Sequence, residues 1–280
     1  PCQGHSNLNK HSRRDDPSNS LYLSVATYAS LLRPQVIAIE NVLGVTKDKK
    51  DIVSKTHLVL ESLGYSIHSV LINGVKIGLP QTRNRHFTIA YKKKGIDPSS
   101  LLSSYSSYFK SPRSVSWALS LAPKIYDLEN HFYTPSMPSQ ANLERINWLH
   151  DKNEFDLPFN QRPVCHHENH SYKSVYGRLR PDLPSGTITT GFNSPGRGRY
   201  IHPTERRVIT SCEAALIQGF PRSYRFYSSE LMPARNVHLK VIGDAVSPIM
   251  ARAVGNLLAV QLSQDSMHVQ SSESIGSLAA

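Results

Sequence analysis

The first 92 residues alternate between helical and extended patterns of hydrophobic positions. Apolar residues recur at helical spacing from Leu21 to Leu32, just before Pro34, and again over residues 51 to 63, just before Gly64. Three short runs typical of strands lie at Val36 to Ile39, Tyr65 to Ile72 and His86 to Tyr91. The first of these runs is continuous and β-branched, which is typical of a strand covered on both faces. The alternation predicts an α/β domain with a mostly parallel sheet.

The pattern changes after this segment. Residues 95–190 contain Ser-rich stretches and repeated prolines without a sustained period, which predicts a separate, loop-rich domain. Regular patterns return in residues 191–262, where one helix is predicted from Ser211 to Gln218 and another after Pro248. The Ser-rich residues 263–280 predict a disordered tail. Residues 1–94 and 191–262 would then flank the loop-rich domain.

Charge points to a polyanionic partner. The 280 residues contain 32 Lys and Arg against 21 Asp and Glu, a formal net charge of +11. Residues 1–94 alone hold 14 basic against 6 acidic side chains. Such an excess favours nucleic acid over an acidic small molecule, and it predicts a basic face in the first third of the chain.

The number of cysteines and the hydropathy of the chain limit the cellular compartments in which we expect the protein. Cys2, Cys165 and Cys212 are too few and too scattered for a disulfide scaffold, which favours a reducing compartment. No apolar run approaches the ~20 residues of a membrane helix, so we expect a soluble protein. A bacterial cytoplasm, or a nucleus in a eukaryote, fits both observations. Because the first residue is Pro1, we expect an upstream segment, in which a targeting signal would be invisible here.

Two residues are candidates for catalysis, one before and one after the predicted helix 21–32 in the sequence. Cys2 lies in a flexible stretch with basic surroundings, where a thiol ionises more readily and can act as a nucleophile. The alternative is a cysteine that fills a core as a small apolar side chain. Glu40 ends the apolar strand, at the edge where open α/β sheets bind ligands. Partial burial there would favour a protonated carboxyl able to donate a proton; the alternative is a solvated glutamate.

A basic segment precedes the third predicted strand. In an extended chain Gln81, Arg83 and Arg85 would share one face, because alternate side chains point the same way. Paired guanidinium groups suit phosphate oxygens or a carbonyl. A solvated face without function is the alternative.

Other candidates carry less chemistry. Cys165, His166, His167 and His170 have a metal-like composition, but their spacing matches no zinc pattern, so we expect a surface loop and no metal. The glycine-containing stretch 195–200 carries Arg197 and Arg199, which predicts either a DNA-backbone contact or a plain turn. Cys212 lies on a predicted helix and is expected to pack.

Five short motifs appear in the order in which DNA cytosine-5 methyltransferases carry them. They are Pro1-Cys2-Gln3, Glu40-Asn41-Val42, Gln81 to Arg85, the stretch from Arg207 to Pro221, and Gly243 to Pro248. The chain resembles this family over residues 1–92 and about 186–262, and the middle falls where the family keeps its variable target-recognition domain. The resemblance implies an α/β, Rossmann-like methyltransferase domain that depends on S-adenosylmethionine, with a smaller, loop-rich target-recognition domain.

The resemblance also implies a mechanism on a cytosine flipped out of duplex DNA. Cys2 matches the cysteine whose thiolate adds to C6 of the base, and Glu40 matches the acid that stabilises the ring at N3. Arg83 matches a residue that touches the base carbonyl or the surroundings of the thiol. Arg85 matches a phosphate contact beside the target nucleotide, in a loop that Gln81 orders.

Further binding residues follow from the same resemblance. Gln3 and Ser6 match a mobile loop that closes over DNA, so the nearby His5, Lys10, Arg13 and Arg14 are expected phosphate contacts. The cofactor positions that match are Leu21, Gly243, Asp244, Ala245 and Val246. Asp244 departs from the family, which usually has Asn there. The family's glycine-rich loop would lie upstream of Pro1, so we expect these 280 residues alone to bind S-adenosylmethionine poorly.

Alternatives remain open. A transfer-RNA cytosine methyltransferase shares the motifs but carries a Cys-Phe-Thr tripeptide, which this chain lacks. A degenerate paralogue that binds DNA without methylating it fits the missing loop and Asp244, whereas intact Cys2 and Glu40 argue against it. An exocyclic-amine methyltransferase would show a Pro-Pro-aromatic motif, which is absent. We expect a monomer that acts on double-stranded DNA, with a cognate restriction endonuclease as a candidate partner.

Overall fold

The structure is a computed structural model that describes residues 17–47, 50–92, 97–109, 111–123, 129–164, 174–227 and 233–276. The described residues form two compact units. The first unit contains the chain up to Asn73, Asn84–Tyr108 and the chain from Ala251 onward. The second unit contains Gly74–Arg83 and Phe109–Met250. The segment 74–83, which carries Gln81 and Arg83, therefore belongs to the second unit, whereas Arg85 belongs to the first.

The first unit is built on a three-stranded sheet. Its strands are β1 (Val36–Asn41), β2 (Ser66–Asn73) and β3 (Asn84–Tyr91), in the order β1-β3-β2. The central strand β3 runs antiparallel to both neighbours, so the predicted mostly parallel sheet is wrong for these strands. A parallel return needs a crossover of a dozen or more residues, and only residues 74–83 connect β2 to β3.

Helices α1 (Ser24–Leu32) and α2 (Ile52–Ser62) precede β1 and β2, close to where the hydrophobic spacing predicts them. A 3₁₀ turn, Pro17–Leu23, replaces the first residues of the predicted helix 21–32. Each helix ends on a left-handed residue, Arg33 after α1 and Gly64 after α2. The buried side chains of Ala29, Leu60, Tyr65 and Ala90 form one core cluster of this unit. The sheet therefore fixes β1, whose last residues are Glu40 and Asn41.

The second unit has fewer regular elements. It contains α4 (Val115–Leu119), α5 (Gln140–Asp151), α6 (Ser211–Ile217) and α7 (Arg235–Asp244), whereas α3 (Pro98–Ser106) lies in the first unit. The sequence showed no sustained period over 95–190, and it therefore missed α5. One core cluster contains Leu179, Ile188, Ile209, Ile217 and Ile242, and another surrounds Ile146 and Leu149.

The last helix, α8 (Pro248–Gly276), is longer than predicted. Its backbone continues through residues 263–276, where the Ser-rich composition predicted a disordered tail. No proline interrupts this stretch, and each residue added to an existing helix contributes one more backbone hydrogen bond. Serine lowers helix propensity only modestly.

One described segment, Arg235–Ser263, is long and apolar enough to cross a membrane by length and composition alone. Hydropathy along the sequence did not predict such a segment. It consists of α7 and the start of α8, with a break at 245–247. It is weak support for a membrane span, because core helices of soluble proteins meet the same criteria.

Candidate active site

Glu40 and Arg85 form an ion pair at the end of β1. Arg85 donates from Nε to Glu40 Oε1 over 2.7 Å. Glu40 lies opposite Phe87, so Arg85, two residues before Phe87, is its diagonal neighbour on the same sheet face. The Glu40 side chain is 24% exposed and that of Arg85 is 12% exposed. The pair is thus partly desolvated yet open to solvent on one side, where a ligand can reach the carboxylate.

Gln81 and Arg83 lie in the second unit and are buried. Gln81 is 0% exposed and Arg83 is 1% exposed. Gln81 Oε1 accepts a hydrogen bond from the backbone N–H of Ile188 (3.0 Å), and Arg83 Nη1 donates to the carbonyl of the same residue (3.0 Å). The structure brings these two together on Ile188, whereas the third member of the predicted face, Arg85, binds Glu40. Burial argues against a direct contact of Gln81 or Arg83 with DNA.

Arg83 contacts the Gly243–Val246 motif directly, and Gln81 is linked to it through Gln218. Arg83 Nη2 donates to the carbonyls of Ala245 (3.0 Å) and Gly243 (3.4 Å). Gln218, which is 0% exposed, donates from Nε2 to the Ala245 carbonyl (2.9 Å) and accepts from Gln81 Nε2 (2.7 Å). The hydrogen bonds therefore close a ring through Gln81, Ile188, Arg83, Ala245 and Gln218. We call these five residues the polar ring.

In the predicted cofactor motif, some residues pack within the protein and others are exposed to solvent. A Cβ at Gly243 would lie 2.3 Å from the backbone nitrogen of Thr190, so this glycine is needed for close packing. The structure thus favours a packing role over the predicted cofactor contact at Gly243. Asp244 is exposed and accepts from Lys240 Nζ (2.7 Å), one turn earlier on α7. Val246 is half-buried.

The remaining predicted cofactor residue, Leu21, lies in the first unit with 56% of its surface exposed. A carboxylate suits a sulfonium ion, and apolar side chains suit the flat faces of an adenine ring. Asp244, Val246 and Leu21 therefore have chemistry that fits S-adenosylmethionine. Gly243 and the Ala245 carbonyl are engaged within the protein instead.

Arg199 makes structural contacts. Its Nη1 donates to the carbonyls of Phe155 (2.8 Å) and Arg178 (2.9 Å), and its Nη2 pairs with Asp156. A guanidinium held by three protein oxygens is poorly placed to grip phosphate, so the predicted DNA contact at Arg199 is not favoured. Arg197 lies against Gly191, where an added Cβ would meet its Cδ at 2.4 Å.

A buried ion cluster at the start of α6 was not predicted as a site. Arg207 Nη2 and Nη1 donate to the two oxygens of Glu213 at 2.7 and 2.8 Å. Burial alone would raise the pKa of Glu213, which is 1% exposed, but the hydrogen bonds and charge of Arg207 lower this pKa below its ordinary value. Glu213 also forms a capping box with Thr210. The Thr-x-x-Glu spacing is the sequence signal that could have identified this cap.

His202 completes a cluster with metal-ligand composition beside Glu213 and Glu205. His202 Nδ1 accepts from the N–H of Glu205 (3.0 Å), so in neutral His202 Nε2 carries the proton and faces the carboxylates. Burial lowers the pKa of His202 below its ordinary value, which favours the neutral ring. Because Arg207 already supplies the cation, this cluster is better explained as structural than as a metal site.

Cys212 is buried as predicted and contributes to the wall of a cavity of about 280 Å³ lined largely by aromatic side chains. Burial raises the pKa of its thiol to about 12. Several other predicted residues lie outside the described residues. They are Cys2, Gln3, His5, Ser6, Lys10, Arg13, Arg14, Cys165, His166, His167 and His170.

Comparison with known proteins identifies relatives along most of the chain. The C-5 cytosine-specific DNA methylase family matches residues 1–259. Type II methyltransferase M1.BsuMI of Bacillus subtilis is 40% identical over 249 residues, which are 88% of this chain and 56% of the relative. Type II methylase M.HgiDII of Herpetosiphon aurantiacus is 31% identical, over 91% of this chain and 72% of the relative. The chain thus spans little more than half of the Bacillus protein.

A solved structure of an Escherichia coli prophage protein, assigned as a DNA modification methyltransferase, matches with a TM-score of 0.59 and 25% identity. That match covers 89% of this chain and 76% of the other. Schizosaccharomyces pombe Dnmt2 matches with a TM-score of 0.52 and 17% identity, over 81% of this chain and 67% of the other, and supports the Rossmann-like α/β fold alone. On the strength of the match over residues 1–259, this chain belongs to the C-5 cytosine-specific DNA methylase family.

Proposed function

We propose that the protein methylates C5 of cytosine in duplex DNA. The observation that carries this proposal is the Glu40–Arg85 pair at the end of β1, in a chain that belongs to the C-5 cytosine-specific DNA methylase family. The pair offers a carboxyl group with one open side, which suits a polar ring atom such as N3 of cytosine. The net charge of +11 supports a nucleic-acid substrate.

The proposed chemistry begins at Cys2. Its thiolate adds to C6 of the flipped cytosine, so that a sulfur–carbon bond forms and C5 becomes nucleophilic. S-adenosylmethionine supplies the methyl group that C5 takes up. A base then removes the proton from C5, the sulfur–carbon bond breaks, and the Cys2 thiolate leaves. The ring is neutral again, with a methyl group in place of the proton.

Glu40, as a carboxylic acid, donates a proton to N3 while negative charge develops on the ring during addition, and it takes this proton back when the Cys2 thiolate leaves. A carboxyl group placed at N3 acts where charge appears in the transition state, and such an interaction raises turnover more than it raises affinity. Arg85 orients this carboxyl group through the 2.7 Å contact and keeps a guanidinium next to the reacting nucleotide. Arg85 is therefore proposed both to position Glu40 and to contact phosphate.

We revise the proposed role of Arg83. Because its guanidinium donates to the carbonyls of Ile188, Gly243 and Ala245, a direct role at the base carbonyl is not supported. We assign Arg83 and Gln81 to positioning, through the polar ring. In the same way we withdraw Arg199 from the proposed DNA contacts and retain Arg197.

Phosphate contacts from Gln3, Ser6, Arg13 and Arg14 remain part of the proposal. Such contacts make binding depend on salt concentration without reading the sequence. Asp244, Val246 and Leu21 are the residues proposed to face the cofactor. We expect the reaction in a cytoplasmic or nuclear compartment, where the three cysteines stay reduced.

The test is product analysis with the protein expressed from its complete reading frame. Duplex DNA and transfer RNA are incubated separately with S-adenosylmethionine, then digested to nucleosides. We expect 5-methylcytosine from DNA only. DNA binding without any methylated base would instead support the degenerate paralogue, and methylated RNA alone would support the transfer-RNA enzyme. N4-methylcytosine would reject the C5 assignment.

A further inference from the structure

Gln218 has no role in the proposed chemistry, yet it is 0% exposed and makes hydrogen bonds to three residues in two other segments. Its Nε2 donates to the carbonyls of Ala245 (2.9 Å) and Ile242 (3.2 Å), and its Oε1 accepts from Gln81 Nε2 (2.7 Å). Both hydrogens of the amide nitrogen and one lone pair of the oxygen are therefore used. A buried amide with this many partners fixes the relative positions of the groups it joins.

The Ala245 carbonyl is the point at which the polar ring meets the proposed cofactor turn. It accepts from both Gln218 Nε2 and Arg83 Nη2. On the other side of this turn, Gly243 packs against the backbone of Thr189 and Thr190, the two residues that follow Ile188. The turn is therefore held by hydrogen bonds through Ala245 and by close backbone packing at Gly243.

We propose that Gln218 is a positioning residue for cofactor binding. With Arg83 it holds residues 243–246 in the conformation that presents Asp244 and Val246 outward. This inference rests on the proposed function, because it takes the cofactor to be S-adenosylmethionine. Gln218 itself does not touch the cofactor or the reacting atoms.

The hydrogen bonds predict which backbone segments become less ordered when a side chain of the polar ring is replaced. Gln218→Met keeps the length of the side chain but removes the donor to Ala245 and Ile242 and the acceptor for Gln81. Gln81→Met removes the acceptor for the Ile188 N–H. Ile146→Ala is the matched control, because Ile146 is 0% exposed in a separate core cluster of the same unit and makes no contact within the polar ring.

Amide hydrogen exchange tests the proposal without any cofactor. In Gln218→Met we expect exchange in residues 242–247 to rise about tenfold or more, while α5 keeps its wild-type protection. In Gln81→Met the Ile188 amide should exchange faster. Ile146→Ala should instead accelerate exchange in α5. If Gln218→Met raises exchange throughout the second unit, or leaves 242–247 unchanged, the proposal is overturned.

Ligand binding and turnover form the second arm, again with the complete reading frame. Gln218→Met should raise the Kd for S-adenosylmethionine about tenfold, a loss equivalent to one buried hydrogen-bond partner, while kcat at saturating cofactor stays within about twofold of wild type. Arg83→Lys combined with Gln218→Met should give less than the product of the single effects, because both side chains donate to Ala245. An unchanged Kd, or an equal fall in kcat and rise in Kd, contradicts a positioning role.

A wild-type protein that methylates nothing refutes the proposed function, whereas the exchange experiment still decides whether the polar ring holds the turn.

Discussion

Arg85 Nε lies 2.7 Å from Glu40 Oε1, across two antiparallel strands. The two side chains are diagonal neighbours on one face of the sheet, although they lie 45 positions apart along the chain. The pair therefore places two of the sequence's motifs in direct contact. It also gives Glu40 a cationic partner that the sequence alone did not predict.

Replacing the carboxyl group of Glu40 with an amide should slow the chemical step far more than it weakens DNA binding. Glu40→Gln keeps the shape but loses the carboxyl group proposed to act at N3, so kcat should fall about 10²- to 10⁴-fold while the Kd for duplex DNA changes little. Single-turnover kinetics and a binding titration provide the two numbers. Glu61→Gln, on exposed α2, is the control. Equal losses of turnover and DNA affinity would reassign Glu40 to positioning.

Much of the first unit was predictable because its elements are defined locally. The helical spacing, Pro34 and Gly64 fixed α1 and α2 to within a few residues. Strand direction was not predictable in this way, because it depends on the length of the connection at 74–83. The polar end of α8 was not predicted because amino-acid composition indicates only the average tendency of a segment to be ordered. An established helix can continue into such a segment cooperatively.

The site was predictable as motifs but not as contacts. Sequence order identified Gln81, Arg83 and Arg85 together, and an extended segment would place them on one face. The structure instead separates them between the two units, because the strand begins only at Asn84. No sequence pattern indicated that Gln218 would bond to Gln81, since that contact joins segments 137 positions apart.

Gly243 should tolerate no side chain. In Gly243→Ala the new Cβ would lie 2.3 Å from the Thr190 nitrogen, and the nearest atoms are all backbone of Thr189 and Thr190, which leaves little room to adjust. We expect a loss of about 1–3 kcal/mol or more in unfolding free energy of the second unit. Gly255→Ala, also on a helix but with nothing within 4 Å of the added Cβ, should instead be neutral or stabilising by up to about 1 kcal/mol. Urea unfolding of both variants makes the comparison, and equal midpoints would contradict the packing role.

Two adjacent arginines should differ sharply in their effect on stability. Arg207→Ala leaves Glu213 buried without its bidentate partner, and removing one member of a buried ion pair destabilises by about 3–5 kcal/mol. Arg206→Ala removes an exposed pair with Asp151 and exposed hydrogen bonds to Asn147, so the change should be small. Thermal unfolding at pH 7 measures both. Similar shifts for the two variants would show that burial does not strengthen the Arg207–Glu213 pair.

Acid should weaken the first unit through its buried histidines. Burial lowers the pKa of both His86 and His57 below their ordinary value of about 6.5. The charge of His57 lowers the pKa of His86 further, whereas the charge of Glu61 partly opposes the shift at His57. Above about pH 7.5 both rings are neutral in folded and unfolded chains, so stability should be flat. Below it the unfolded chain takes up protons first, and stability falls as the pH drops through the lowered folded-state pKa values.

Urea midpoints at pH 7.5 and 5.5 test this dependence. His86→Gln should show a smaller drop between the two pH values than wild type, whatever its stability at pH 7.5. His68→Gln, on the opposite face of the sheet, should keep the wild-type drop. If the two variants behave alike, buried His86 is not a source of the acid sensitivity.

The account depends most on a covalent bond between Cys2 and cytosine. The most direct measurement uses the protein from its complete reading frame, S-adenosylmethionine and a duplex containing 5-fluorocytosine, because fluorine at C5 prevents the final loss of a proton and traps the adduct. Cys212→Ser should still form the adduct, because burial raises the pKa of the Cys212 thiol to about 12 and keeps it protonated. We predict a conjugate that survives denaturing electrophoresis for wild type and Cys212→Ser, and none for Cys2→Ser. An undiminished conjugate in Cys2→Ser, or none from wild type, would contradict the account.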